Sequence, residues 1–189
     1  MSIKYILYNP LSGNGKGEEL SKKLTDIYKD DELKYCNMTH ITSYGKFFDS
    51  ISPKSDIIIC GGDGTLNRFI NDSDGYPYEN PLYFYATGSG NDFMRDLGKE
   101  PGCKPIRINE YVRELPIVTV NGKSSRFINA VGYGIDGYCC EVGDELRTKS
   151  DKPINYTSIA IKGLLFRFRP ANAVITVDGK EYSYKKVWL

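Results

Sequence analysis

The pattern of apolar and polar positions divides the chain into two stretches of different character. Ile3 to Tyr8 is a short apolar run ending in Asn9-Pro10 and a glycine cluster, which reads as a buried strand entering a loop. Leu20, Leu24, Ile27 and Tyr28 then recur at helical spacing with Lys22, Lys23 and Asp26 between them, so a helix is expected. A mixed segment around Tyr35 to Ile41 fits a second strand, and Phe47, Phe48 and Ile51 fit a short helix before Pro53. Ile57-Ile58-Ile59-Cys60, opened by Asp56, is continuously apolar, as parallel strands covered on both faces are. It runs into Gly61-Gly62-Asp63-Gly64 and a helical segment to about Asn71. Leu82-Tyr83-Phe84-Tyr85 repeats the pattern, leading into Gly88-Ser89-Gly90 and a helix from about Asn91 to Leu97. Strand, glycine loop and helix follow one another three times, which predicts a three-layer α/β domain around a parallel sheet over 1–113.

The pattern changes near Glu114. Leu115 to Val120, Asn121-Gly122 and Ser124 to Val131 read as a hairpin, because Asn-Gly supplies the positive φ angles of a type I′ turn. Ala173 to Val177, Asp178-Gly179 and Glu181 to Leu189 read the same way. Helical stretches around Cys139 to Leu146 and Ile154 to Phe168 lie between the hairpins, so 114–189 is expected to be β-rich. The chain stops on Val187-Trp188-Leu189, apolar residues in mid-strand, where a sheet would be left with an open edge. A fragment or a truncated reading frame is therefore expected.

Composition narrows the classes. With 40% hydrophobic and 26% charged residues, a packed core is expected rather than disorder. The 25 basic and 24 acidic residues leave a net charge of +1, without the basic excess of a nucleic-acid binder. The 15 tyrosines form no regular platform for single strands. Cys36, Cys60, Cys103, Cys139 and Cys140 show no C-x-x-C spacing, so free thiols in a reducing compartment are expected. His40 is the single histidine and has no evident Ser or Cys partner for a hydrolase triad. With neither an apolar leader nor a stretch of roughly 20 apolar residues, a cytoplasmic protein is expected.

Chemistry concentrates in the glycine loops. In Gly61-Gly62-Asp63-Gly64-Thr65-Leu66-Asn67, the glycines let the backbone approach a phosphate, and the helix that follows aims its free N–H groups there. Asp63 beside phosphate oxygens implies an intervening Mg²⁺; otherwise it caps a helix after a tight turn. Thr87-Gly88-Ser89-Gly90-Asn91-Asp92-Phe93 offers small residues and a hydroxyl, or is an ordinary turn with Asn91 as the N-cap. Asn9-Pro10-Leu11-Ser12-Gly13-Asn14-Gly15-Lys16-Gly17 fits neither standard phosphate loop. A Walker A loop needs glycine at Pro10 and Ser or Thr at Gly17, and the dinucleotide fingerprint fails at Glu18. Lys16 either complements phosphate charge or is a solvated first-turn lysine.

In combination and in this order, Asn-Pro-x-Ser-Gly, Gly-Gly-Asp-Gly-Thr-x-Asn and Gly-Ser-Gly-Asn-Asp-Phe resemble the diacylglycerol kinase catalytic family, relatives of sphingosine and ceramide kinases. Phe127-Ile128-Asn129-Ala130-Val131-Gly132-Tyr133-Gly134 resembles a further family segment, and Asn155-Tyr156 with the Asp178-Gly179 hairpin resembles the start of its β-sandwich domain. The resemblance implies an ATP-dependent lipid kinase with Mg²⁺, acting on a diacylglycerol or long-chain base. It implies an ATP site formed by Asn9, Ser12, Gly13, Asn14, Thr42, Gly61, Gly62, Asp63, Gly64, Thr65, Asn67, Gly88, Ser89, Gly90, Asn91 and Asp92. Asp63 would lie at the metal–phosphate centre, with Thr42 at the end of the second strand. Arg68 stands where the family commonly has glutamate, and Ala86 where proline is usual. The general base is expected in an Asp-Gly segment later than Leu189, which makes a non-catalytic nucleotide-binding module, or half of a split enzyme, the alternative expectation. NAD kinase shares the Gly-Gly-Asp-Gly loop but calls for an Asn-Glu pair where Asn91-Asp92 stands. Ile154 to Arg169 carries Lys162, Arg167 and Arg169 among apolar residues, so it either rests on a membrane surface or packs with its cations in water.

Overall fold

The structure, a computed structural model, describes residues 3–74, 79–88, 90–100, 102, 104–149, 154–167 and 169–188. It is a mixed α/β protein with a five-stranded, mostly parallel sheet and two small antiparallel hairpins. By contacts the chain divides into Met1–Asn129 and Ala130–Leu189.

In the first unit the sheet order is β2-β1-β3-β4-β5. Strands β1 (Ile3–Tyr8), β2 (Glu32–Asn37), β3 (Asp56–Gly61) and β4 (Leu82–Ala86) are all parallel. The two-residue β5 (Ile106–Arg107) runs antiparallel to β4. Ile57, Ile58 and Ile59 are wholly buried because β3 is central and helices cover both of its faces. Ile57 and Ile59 face a cluster containing Tyr44 and Phe48 of α4 (Tyr44–Asp49) and Leu66 and Phe69 of α5 (Asp63–Asp72). Ile58 and Cys60 face Ile6, Tyr85 and Leu24, the last on α3 (Leu24–Ile27). The period-two alternation of a strand thus divides one apolar run between two cores. At roughly 1.5–3 kcal/mol for each fully buried Ile side chain, this strand anchors the layer. Tyr44 packs edge-on against Phe69 at 5.1 Å between ring centroids, and burial pushes its phenol up to about 12.

The expected first helix is broken into pieces. α1 (Ser12–Gly15) is a turn with left-handed Gly13 and Asn14 at its centre, followed by α2 (Gly17–Lys22) and α3. A 3-10 turn, Met38–His40, follows β2. β5 and α7 (Asn109–Val112) were not expected from the apolar pattern. Asn109 completes the edge of β4 with its side chain, accepting from the Leu82 amide at 2.8 Å and donating to the Asn80 carbonyl at 2.9 Å. The first hairpin, β6 (Ile117–Val120) and β7 (Lys123–Arg126), belongs to this unit. The Asn71 amide on α5 exchanges two bonds with the Arg126 backbone, at 2.9 and 3.0 Å, as a neighbouring strand would.

The second unit contains α8 (Ile135–Lys149), α9 (Tyr156–Lys162), a π-helical turn over Gly163–Arg167, and the hairpin β8 (Ala171–Val177) and β9 (Lys180–Val187). The Asn155 side chain caps α9 by accepting from the Ser158 amide at 2.9 Å. Helices α8 and α9 approach closely at glycine: a Cβ on Gly143 would lie 2.7 Å from the Tyr156 ring, and one on Gly163 2.6 Å from the Tyr138 ring. The Asn121-Gly122 and Asp178-Gly179 turns have positive φ at both residues, as their sequences predict. No helix among the described residues is long and apolar enough to cross a membrane.

Candidate nucleotide site

The chain leaves β1 to form β2 on one side and returns to place β3 on the other. The β1/β3 boundary is therefore a topological switch point, where the loops leaving the strand ends turn apart and open a crevice; open α/β sheets bind ligands there. The loops after β1 and β3 flank this point, and the loop after β4 adjoins them.

Hydrogen bonds tie the three loops together. Asn9 donates to the Thr65 hydroxyl at 2.9 Å, and its own carboxamide oxygen accepts from the Leu11 amide at 3.0 Å. The Asn9 backbone amide donates to the Cys60 carbonyl at 3.2 Å, and the Thr87 amide to the Gly61 carbonyl at 2.8 Å. The Ser12 hydroxyl donates to the Asn9 carbonyl at 2.8 Å and lies 3.4 Å from the Thr87 hydroxyl. Thr87 opens the third loop motif but was not among the expected site residues; its one signal is a small hydroxyl residue between strand and glycine loop.

Two kinds of glycine stand here. A Cβ on Gly88 would lie 2.5 Å from the Gly62 Cα, and one on Gly13, at φ +55°, 2.9 Å from the Thr87 carbonyl. These glycines permit backbone-to-backbone contact between loops. Gly64, in the first turn of α5, is different: it is exposed, and nothing lies within 4 Å of where its Cβ would be. Packing among the described residues does not account for a glycine at this position, and the bare backbone leaves the start of α5 open.

Asp63 does cap a helix, but not its own. Both carboxylate oxygens accept backbone N–H groups at the start of α6 (Asp92–Asp96), from Asp92 at 3.1 Å and from Phe93 at 3.0 Å. Asn91 sits at the N-cap position with left-handed φ 58° and makes no capping bond. Its side chain closes its own loop, accepting from the Gly88 amide and donating to the Gly88 carbonyl. The Asp92 carboxylate pairs with Arg95 at 2.9 Å.

Each Asp63 oxygen retains a second lone pair, so the carboxylate fits one ligand position of a hard cation while holding α6. Among the described residues no three His, Cys, Asp or Glu side chains come together as a metal cage. A Mg²⁺ here would need phosphate oxygens and water for its remaining ligands.

The structure thus gathers Asn9, Ser12, Gly13, Asn14, Gly61, Gly62, Asp63, Gly64, Thr65, Gly88, Gly90, Asn91 and Asp92 on three adjoining loops. A Cβ on Gly90 would stand 3.3 Å from the Asp63 carboxylate. Ser89 lies outside the described residues. Thr42 is exposed in the bend beyond the 3-10 turn, not at the end of β2, and takes no part in the bonds joining the loops. Asn67 lies on α5 with its carboxamide oxygen buried and without a hydrogen-bond partner among the described residues. A ligand contact from Asn67 would have to come from its amide nitrogen or follow a rotation of the side chain.

Residues 4–120 match the model of the diacylglycerol kinase catalytic domain. The chain belongs to that family. Among relatives of this kinase-family chain, the diacylglycerol kinase of Bacillus subtilis (strain 168) is 30% identical over 188 residues, covering 93% of this chain and 59% of that protein. A Staphylococcus aureus (strain JH9) protein named provisionally as a lipid kinase is 27% identical over 158 residues, covering 81% of this chain and 48% of its own length. The kinase-family chain therefore spans about half to three-fifths of these relatives. A solved Bacillus anthracis str. Sterne structure, titled provisionally as a diacylglycerol kinase, superposes with a TM-score of 0.50 at 19% identity, covering 96% of this chain and 63% of that one. The likeness extends to the fold of the diacylglycerol kinases.

Proposed function

We propose that the chain carries the nucleotide site of an ATP-dependent lipid kinase that transfers the γ-phosphate to the hydroxyl of a diacylglycerol or a long-chain base. The observation that carries this reading is the open Cβ position of Gly64 beside Asp63, at the head of α5 and at the switch point of the sheet. Backbone N–H groups and the positive end of the α5 dipole would receive phosphate oxygens, and the Ser12 hydroxyl would add a donor from the neighbouring loop. Asp63 would hold Mg²⁺, which when bound neutralises charge between the phosphates. Because phosphoryl transfer depends on positioning and charge neutralisation, the clamps between loops matter as much as the contacting atoms. Asp63 has two tasks on this reading, since the carboxylate that meets the cation also fixes the start of α6.

Titration calorimetry with ATP, with and without Mg²⁺, tests the site in the wild type and in Asp63→Ala. Mg²⁺-dependent binding that the variant loses is the expected result. Wild-type protein that binds no ATP at millimolar concentration would remove the nucleotide reading. Transfer of labelled phosphate from ATP to diacylglycerol in mixed micelles then tests the acceptor. Because the chain covers 59% of its Bacillus subtilis relative, a second reading is a nucleotide-binding part that needs further chain for transfer. Tight ATP binding with no phosphorylated lipid would favour it.

A further inference from the structure

We propose that Arg68 is a further phosphate-binding residue, which exchanges Asp72 for phosphate oxygens when a nucleotide seats at the head of α5; the inference rests on the nucleotide reading above. Helix α5 buries Thr65, Leu66, Phe69 and Ile70 and leaves Gly64, Arg68 and Asp72 exposed. Four-residue spacing puts those three in one row on the open face. Arg68 therefore stands one turn behind Gly64, about 6 Å along the axis. The space ahead of it is clear, since nothing lies within 4 Å of the Gly64 Cβ position. Helical side chains lean toward the amino-terminal end, so the natural reach of Arg68 is over Gly64.

Without a ligand the side chain is turned toward Asp72 instead, its Nε donating to Oδ2 at 3.1 Å. Three features make this contact exchangeable. The two side chains are 77% and 47% exposed, and surface ion pairs of this kind are weak. A cation four residues ahead of its anion is the poorer order on a helix, and Asp72 is the last residue of α5, where the dipole disfavours a carboxylate. Only Nε is engaged among the described residues, which leaves the terminal amino groups to grip a phosphate side by side. Arg95 on α6 is held in the opposite order, with Asp92 ahead of it at the helix start, and is less ready to exchange. The demand for a cation is plain: even the Mg²⁺ complex of ATP is anionic, and it would enter beside the Asp63 carboxylate.

The test is titration calorimetry with Mg²⁺-ATP on the wild type, Arg68→Gln and Asp72→Asn. Both substitutions break the same ion pair, yet they should move the affinity in opposite directions. Arg68→Gln should weaken binding about tenfold, the scale of one lost charge-assisted hydrogen bond. Asp72→Asn should tighten it about twofold, because the competing partner is gone. Arg68→Lys, which keeps the charge without the planar fork, should fall between the wild type and Arg68→Gln. All three substitutions are at exposed positions, so thermal unfolding should match the wild type. Binding unchanged in Arg68→Gln, or weakened equally in Arg68→Gln and Asp72→Asn, would overturn this inference and leave the nucleotide site standing. A wild type that binds no Mg²⁺-ATP would remove the site and the inference together.

Discussion

The contrast between Gly88 and Gly64 gives a pair of substitutions with opposite expected outcomes. In Gly88→Ala the new methyl would stand 2.5 Å from the Gly62 Cα and 3.2 Å from its nitrogen, against backbone that cannot rotate aside. The two loops must separate by about an ångström, at the overpacking cost of about 1–3 kcal/mol. In Gly64→Ala the methyl meets no protein atom within 4 Å, and the site is in the first turn of a helix. Stability should hold or rise by up to about 0.5–1 kcal/mol, because alanine restricts the unfolded chain. That methyl would nevertheless occupy the space at the head of α5 where phosphate is proposed, so ATP affinity should fall at least about tenfold, or about 1.4 kcal/mol. Urea unfolding gives the first quantity for each variant and calorimetry with Mg²⁺-ATP the second. The reasoning fails if Gly64→Ala binds ATP like the wild type, or if Gly88→Ala unfolds at the wild-type urea concentration.

Other consequences concern the core and its titrating groups. Ile58→Ala removes a fully buried side chain from the central strand and should lower the unfolding free energy by about 2–5 kcal/mol in urea. Lys4 lies between Asp56 and Asp31; burial would lower its pKa, but the bond to Asp56 and the two carboxylate charges outweigh that and raise it above 10.5. Its stabilising contribution should be full below pH 10.5 and disappear as pH rises through the higher folded value. Alkaline unfolding of Lys4→Met should therefore show a weaker pH dependence than the wild type. Burial drives the Cys60 thiol far up, and its side chain is sealed in the sheet, so a thiol reagent at pH 8 should label exposed Cys140 at once and Cys60 only on unfolding. Mass spectrometry of the labelled peptides would show the order.

What could be read in advance follows from how local each determinant is. The β3 strand declared itself because both of its faces are covered, which leaves an unbroken apolar run in the sequence. The two hairpins did so because Asn121-Gly122 and Asp178-Gly179 carry the backbone requirement of the turn within two residues. The edge beyond β4 was hidden: only Ile106 and Arg107 pair, and the rest is completed by the side chain of Asn109, for which hydrophobic periodicity has no signal. The first helix read as continuous because Leu20, Leu24 and Ile27 keep their spacing across the break after Lys22. In the site, the glycine loops were visible as a set, yet the task of Asp63 was not, since its partners are amides up to 30 positions further along. Thr42 shows the converse error. A strand was expected to carry it to the loops, but β2 ends at Asn37 and a 3-10 turn intervenes.

The interior place of β1, between β2 and β3, also bears on how the protein is made. Strand β1 is made before both of its neighbours and pairs with β2 on one side, but its other edge stays open until Asp56–Gly61 has been synthesised. At roughly 5–20 residues per second, the stretch between Tyr8 and Asp56 takes on the order of several seconds to add. Throughout that interval Ile6 and Leu7, both destined for complete burial, lie on a strand with at least one edge unpaired. Slowing translation before β3 should therefore increase aggregation more than slowing it after β4.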